Sequence, residues 1–424
     1  MASFLKTKNM LKCNQGGHMR HIKKRKLTKA GKFIVVASIL IIIGFSILIK
    51  SILTTPEKEE EIIPTSTPTA IPKVIVEEPK SFTFIGVGDN LYHGALYYRQ
   101  RMAGNGYNFD TYYDGTREYS ENANLAYINM ETICNGDEHY ELSSYPLFNG
   151  PKEVIDAVYN AGFDWWSISS NHSLDTGANG LLEQLNTIHE MYPDIITTGS
   201  HTSLEDKNTP IVKEINGIKV GFLGYTYGLN GLIVPEDKEW LVSMIDKDQM
   251  KIDMEALSKV SDIQMVAMHW GVEYSTSISE EQKDLTKYLN ELGAEVIIGT
   301  HPHVIEPAEI YHGENQDTLV YYSLGNYTSA QDAAPRMVGG MASFTVNYDP
   351  NTFETSFTDV KFIPTVTWFD GGFNDWKTYT LADYNNDLFA THRHVYDFDL
   401  SKEWVTNFVK EVMGEPEDIE IVYE

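Results

Sequence analysis

Five short polar patches, each following an apolar run, carry the residue types that bind metal ions and move protons. They are Gly88-Asp89, Asn129-Met130-Glu131, Asn171-His172, His269-Trp270-Gly271 and His301-Pro302-His303. Asp89, Glu131, Asn171 and the four histidines among them offer two carboxylates, an amide oxygen and four imidazoles. Two divalent ions held by such a set lower the pKa of a water molecule and neutralise charge developing on phosphate oxygens, which is the chemistry of a hydrolytic centre. A lone histidine after a strand is more often a satisfied hydrogen-bonding residue than a ligand. The pair His301 and His303 is harder to explain that way, and Asp175, three residues past His172, is placed to orient that ring.

Side chains so far apart in sequence meet only if the elements before them end at one rim. Apolar runs of four to eight residues, rich in Val, Ile and aromatics, read as buried strands. Such runs are Ser81–Val87, Leu125–Met130, Trp165–Ser169, Ile263–Met268, Val296–Gly299 and Leu319–Ser323. Helical spacing marks 151–161, 180–191, 279–292 and 401–412, the third opening on Ser279 with Glu280 and Glu281 in its first turn. Asn216-Gly217 between two apolar runs predicts a hairpin. Alternating β and α units with late antiparallel strands at 340–347 and 357–363 predict an α/β sandwich with mixed sheets, whose ligands gather beyond the carboxyl ends of the strands.

The 424 residues carry 33 Lys and Arg against 60 Asp and Glu, yet residues 1–50 hold eleven of the basic residues and no acid. Residues 1–32 read as a basic cytoplasmic tail and 33–53 as one transmembrane helix that anchors the chain in the cell membrane, with the N-terminus inside and the remainder extracytoplasmic. A cleaved signal peptide shares those marks, but the long apolar run and the long basic region favour an anchor. Residues 54–80, rich in Pro, Thr and Glu, form an extended stalk. The 22 basic and 60 acidic residues beyond position 50 give a net charge of −38, which excludes nucleic acid as a partner. Cys13 and Cys134 fall on opposite sides of the membrane in this reading, so no disulfide staples the folded part.

With these stretches in view, and with Ser170–Gly177, Tyr225–Gly231, Gly299–Val304 and Tyr322–Tyr327 in the same order, the chain resembles the CapA-type poly-γ-glutamate (capsule) biosynthesis proteins, of the calcineurin-like metallophosphoesterase superfamily. The resemblance implies a four-layer α/β/β/α domain over residues 81–385, a C-terminal extension over 386–424, and a role in making or exporting an anionic polymer. It also implies one or two divalent ions (Mn, Fe or Zn), a phosphoester or anionic polymer as substrate, and other capsule-synthesis membrane proteins as partners. On this reading Asp89 binds one ion, Glu131 bridges, Asn171 holds the second ion, and His269, His301 and His303 complete the set. His172 serves as proton donor with Asp175 behind it. The wider superfamily begins Asp-x-His where this chain has Asp89-Asn90-Leu91, so His93 is the expected substitute ligand. Glu273 and Asn326 are carried as substrate-binding positions, with an exposed acid and a turn residue as their plainer readings. His392-Arg393-His394, with no strand before it, reads as surface. A non-catalytic polymer- or synthase-binding component and an unrelated envelope phosphatase are the rival functions.

Overall fold

The structure is a computed structural model, and it describes residues 77–104, 106–136 and 140–424. The expected tail, membrane anchor and most of the stalk lie outside the described residues. Among those that are described, no helix is long and apolar enough to cross a membrane.

In chain order the strands are β1 Lys80–Asn90, β2 Leu125–Asn129, β3 Trp165–Ser167, β4 Ile196–Thr198, β5 Ile211–Ile215, β6 Ile218–Thr226, β7 Ile263–His269, β8 Val296–Thr300, β9 Ala308–His312, β10 Asp317–Tyr321, β11 Asn326–Thr328, β12 Val338–Asp349, β13 Glu354–Phe369, β14 Trp376–Thr380 and β15 Glu420–Ile421. They form two mixed sheets. The first runs β14-β13-β12-β1-β2-β3-β4, with β11 beside β1 and β15 beside β13, and the second runs β5-β6-β7-β8-β10-β9. Strands β1 to β4 pair in parallel, as do β6, β7, β8 and β10, while β12 to β14 return antiparallel.

Alternation along the strands of the second sheet sorts its side chains onto two faces. Val220, Phe222, Met265 and Ile298 join the large core shared with the first sheet. Tyr225, Val266, Met268 and Ile297 instead pack with Met250, Met254, Leu285 and Leu289 of helices Lys247–Leu257 and Glu280–Glu291. Rings cross between the sheets, Trp165 on Phe222 at 5.0 Å and Tyr321 on Phe344 at 6.2 Å between centroids. Helices Glu153–Asn160 and Gly177–Met191 connect the parallel strands β2 to β3 and β3 to β4, burying Val154, Val158, Leu181 and Leu185.

Local chemistry explains several boundaries. Asn216 and Gly217 take φ of 50° and 79°, the primed turn that matches hairpin twist. Ser279 closes a reciprocal capping box with Gln282. A side chain at Gly88 would meet the Gly325 carbonyl at 1.9 Å, so only glycine lets β1 approach close enough for Asp89 N–H to donate to that oxygen at 2.9 Å.

Residues 386–424 pack on the same core: helix Lys402–Met413 buries Val405, Val409 and Met413, and β15 pairs with β13. The surface reading of the His392–His394 segment fails for His392. It is 2 % exposed, with its Nε2 3.1 Å from the Thr367 carbonyl, because the segment folds back onto β13.

Candidate metal centre

The ends of β1 and β2 bring acids and amides to the centre. Asp89 is fully buried in the β1 terminus, and Asn129, last residue of β2, donates from Nδ2 to Asp89 Oδ1 at 2.8 Å. Two residues on stands Glu131, also fully buried. From the loop after β3, Asn171 places Oδ1 3.0 Å from His269 Nε2.

The second sheet brings imidazoles. His269 ends β7, and its Nδ1 lies 3.1 Å from Thr300 Oγ1, which fixes the ring so that Nε2 faces inward. The turn after β8 holds His301 at φ 103° and His303 at φ 59°, conformations that residues with a Cβ rarely adopt and that cluster at functional sites. Tyr227 packs on the His301 ring at 4.4 Å. His303 Nδ1 sits 3.0 Å from Asp89 Oδ2, and its Nε2 3.6 Å from Glu131 Oε1.

Two groups result, Glu131 with His269 and His301, and Asp89 with Glu131 and His303; within each, the ligand atoms lie within 4.8 Å of one another. Glu131 belongs to both. Its two carboxylate oxygens are buried without a hydrogen-bond partner, as are Asn129 Oδ1 and His301 Nδ1. Leaving such groups unpartnered costs about 1–3 kcal/mol each, more for a charge.

The titration behaviour has the same cause. Burial, then the nearby charge of Asp89, raises the Glu131 pKa well above the usual carboxylate range. Burial, then the neighbouring imidazoles, lowers His269 well below its ordinary value and His301 to about 3. A divalent cation would reverse each of these penalties, and hard oxygen plus neutral imidazole is a donor set that Mn, Fe and Zn accept. The residues fit the ions.

Beside this cluster, Asp175 Oδ2 accepts from Phe148 N at 2.5 Å and holds His172 Nδ1 at 2.7 Å. Phe148 stands edge-on between His172 and His93, with ring centroids at 4.8 and 5.0 Å. His172, His303, Phe148, Glu273 and Tyr274 line a cavity of about 490 Å³.

Six of the expected ligands thus meet: Asp89, Glu131, Asn171, His269, His301 and His303. His93 does not join them. Its Nδ1 is taken up near Leu91 O at 3.3 Å and by Ala330 N at 3.4 Å, and burial lowers its pKa to about 4. Leu91, where the resemblance leads one to look for histidine, is buried. Glu273 is exposed at the cavity rim. Asn326 departs from the substrate-binding expectation: it is fully buried, its Oδ1 lies 3.1 Å from His303 Nδ1, and its Nδ2 donates to backbone carbonyls of Arg336 and His303. It aims His303 and keeps no polar group for a substrate. Asn129, Thr300, Phe148 and Tyr227 were not foreseen as contributors. Asn129 alone left a signal, its place two residues before Glu131 in the same patch.

A buried set of acids and imidazoles at the strand ends of two facing sheets is one that could hold divalent cations. The chain belongs to the bacterial capsule synthesis protein family PGA_cap, which residues 83–331 match. It is similar to the PGA biosynthesis protein CapA of Bacillus subtilis (strain 168), 30% identical over 191 residues, 42% of this chain and 46% of that protein. It is also similar to the capsule biosynthesis protein CapA of Bacillus anthracis, 26% identical over 234 residues, 54% and 56% of the two chains. The chain thus spans about half the length of these curated relatives. Among solved structures it loosely resembles a phosphatase from Mycoplasma pneumoniae, at 14% identity and a TM-score of 0.41, over 68% of this chain and 95% of that one. A 5'-nucleotidase precursor from Thermus thermophilus compares at 12% and 0.40, over 78% and 58%.

Proposed function

We propose that this chain is a CapA-like protein of capsule polymer synthesis or export, poly-γ-glutamate or a related anionic polymer, and that its centre is a metal-dependent phosphoesterase. The single observation that carries the enzymatic reading is Glu131, a buried carboxylate with no partner that is common to both ligand groups. The facing sheets, with helices behind the second, suit the four-layer α/β/β/α arrangement that such enzymes share. Asp89, Glu131, Asn171, His269, His301 and His303 would hold one or two divalent ions. When bound, the ions supply Lewis acidity and charge neutralisation for hydrolysis of a phosphoester.

The chain's own groups do the rest. Asp175 fixes His172 Nδ1, which leaves Nε2 as the proton-carrying atom facing the cavity, where it serves the leaving oxygen. Phe148 restricts ring rotation and excludes water from that side. Asn326 and Thr300 hold His303 and His269 in register. The localisation belongs to the same proposal: the basic tail and the apolar run 33–53 support a single-pass anchor with the domain outside, beside other membrane components of the pathway.

The test is elemental analysis and turnover of an aryl phosphate by the purified full-length chain. One to two Mn, Fe or Zn per chain and chelator-sensitive turnover are expected. If His301→Ala keeps both its circular dichroism and its full turnover, the site assignment is wrong. A non-catalytic, polymer-binding reading draws on one observation, the buried Leu91 with His93 held outside both groups. Against the −38 charge such binding needs bridging cations, so polymer binding that persists in chelator would remove it.

A further inference from the structure

Arg336 brings a guanidinium close to the Tyr274 ring at the edge of the centre. It sits in the short turn Ala334–Met337, half-buried, with its guanidinium 3.6 Å from the Tyr274 ring centroid. Among the described residues its side chain makes no ion pair and donates no hydrogen bond. A half-buried charge with five idle donors is costly to keep. A solvated surface arginine is the plain alternative, but the positioning here is elaborate. Asn326, which aims His303, also clasps the Arg336 carbonyl at 2.9 Å. Tyr274 is tied from its N–H to the Pro302 carbonyl at 2.7 Å, takes φ 66°, and lies 6.0 Å from the His303 ring. Both sides of the stacked pair are therefore anchored on the His301–His303 turn. The two centroid steps place the guanidinium within about 10 Å of His303. The cavity lined by Tyr274 and His303, with Arg336 just behind Tyr274 and outside the lining, holds no Lys or Arg and a single acid, Glu273.

We infer that Arg336, stacked on Tyr274, is the site's anion clamp: it grips a second carboxylate or phosphate on a substrate whose scissile phosphoester lies at the metal centre. A planar guanidinium stacked on an aromatic face keeps its fork free for bidentate capture of either oxyanion, which a lysine at the same place would not reproduce. On a body this acidic, such a clamp selects polyanionic substrates that the overall field repels. The inference rests on the phosphoesterase reading for its reaction but not for its binding.

The test compares phenyl phosphate with 4-carboxyphenyl phosphate, which carries a second anion across the ring, on the full-length chain with Mn²⁺. Wild type should favour the carboxylated ester in kcat/KM by about tenfold, mainly through KM. Arg336→Ala should bring that ratio to about one, Arg336→Lys should keep part of it, and Tyr274→Leu should erode it. An unchanged ratio in Arg336→Ala overturns the clamp. Calorimetry with the non-hydrolysable 4-carboxyphenyl phosphonate separates the two claims. Arg336-dependent binding without turnover of either ester sinks the hydrolase and leaves the clamp. Turnover with an Arg336-independent ratio does the reverse, and neither binding nor turnover sinks both.

Discussion

The two sheets bring opposite chemistry to one place. The first contributes Asp89, Asn129, Glu131 and Asn171, all oxygen donors; the second contributes His269, His301 and His303, all imidazoles. Neither sheet forms a ligand group alone, since each of the two groups takes residues from both. The halves also err in opposite directions without an ion. Burial makes Glu131 hold its proton more tightly than an ordinary carboxylate, while it makes His269 and His301 hold theirs more weakly than an ordinary imidazole. Their proton affinities are moved apart, so no transfer between them cures the mismatch; a cation shared across the sheet interface does. The centre therefore depends on how the sheets dock, a docking to which Trp165 on Phe222 contributes.

The comparison breaks most directly at the shared residue. Glu131→Gln should lower turnover by at least about 10³-fold, the scale of losing a directly acting group, and should abolish binding of both ions by elemental analysis. The same change removes an uncompensated buried acid, so the metal-free variant should melt above metal-free wild type. One retained ion would show that the groups do not share a bridge. A smaller effect separates proton delivery from ion holding. Asp175→Asn should cut kcat about 10- to 100-fold through the loss of His172 orientation, with metal content unchanged. Lost metal in that variant would move Asp175 into the ligand set.

The smallest effect is in pH. Loading displaces whatever proton the raised Glu131 pKa retains, whereas the lowered pKa values of His269 and His301 leave them little to release. Affinity should therefore climb about tenfold per pH unit for the one proton released, until the raised Glu131 pKa is passed. Calorimetric titration in buffers of differing ionisation enthalpy reports that proton. Stability of the metal-free protein works in opposite senses for the two halves. Folded Glu131 binds its proton more tightly than the unfolded value of 4.5, so its contribution fades as pH rises above 4.5. His301, lowered from 6.5 to about 3, contributes above 6.5 and loses that contribution as pH falls towards 3.

Much of this was legible in the residues because strand ends and ligands coincide. Asp89 and His269 lie in the last two residues of their strands, so an apolar run followed by a polar residue marked element and site together. The helices over 151–161 and 279–292 carried their own spacing, the first a starting proline and the second a cap. What stayed hidden came from the chain returning across long separations. Helix Gly94–Ala103 is barely amphipathic, with only Leu96 and Tyr97 buried, so its spacing signalled nothing. Strands β9 and β14 are short and sit at sheet edges, with polar residues facing out. Asn326 reads as a turn residue until β11 lands beside β1 in the register Asp89 to Asn326, which turns a loop amide into a ligand guide. Phe148 reaches the site from a segment whose local sequence has no strand-end mark.

The left-handed turn that presents His301 and His303 has a practical consequence. Each such backbone costs on the order of 1–3 kcal/mol for a residue with a Cβ, and nothing for glycine. Alanine and glycine are then unequal controls at these two positions: alanine keeps the contorted main chain after its reward is gone, whereas glycine lets it rest. Mutants made only with alanine will overstate what the rings themselves contribute to the durability of the molecule.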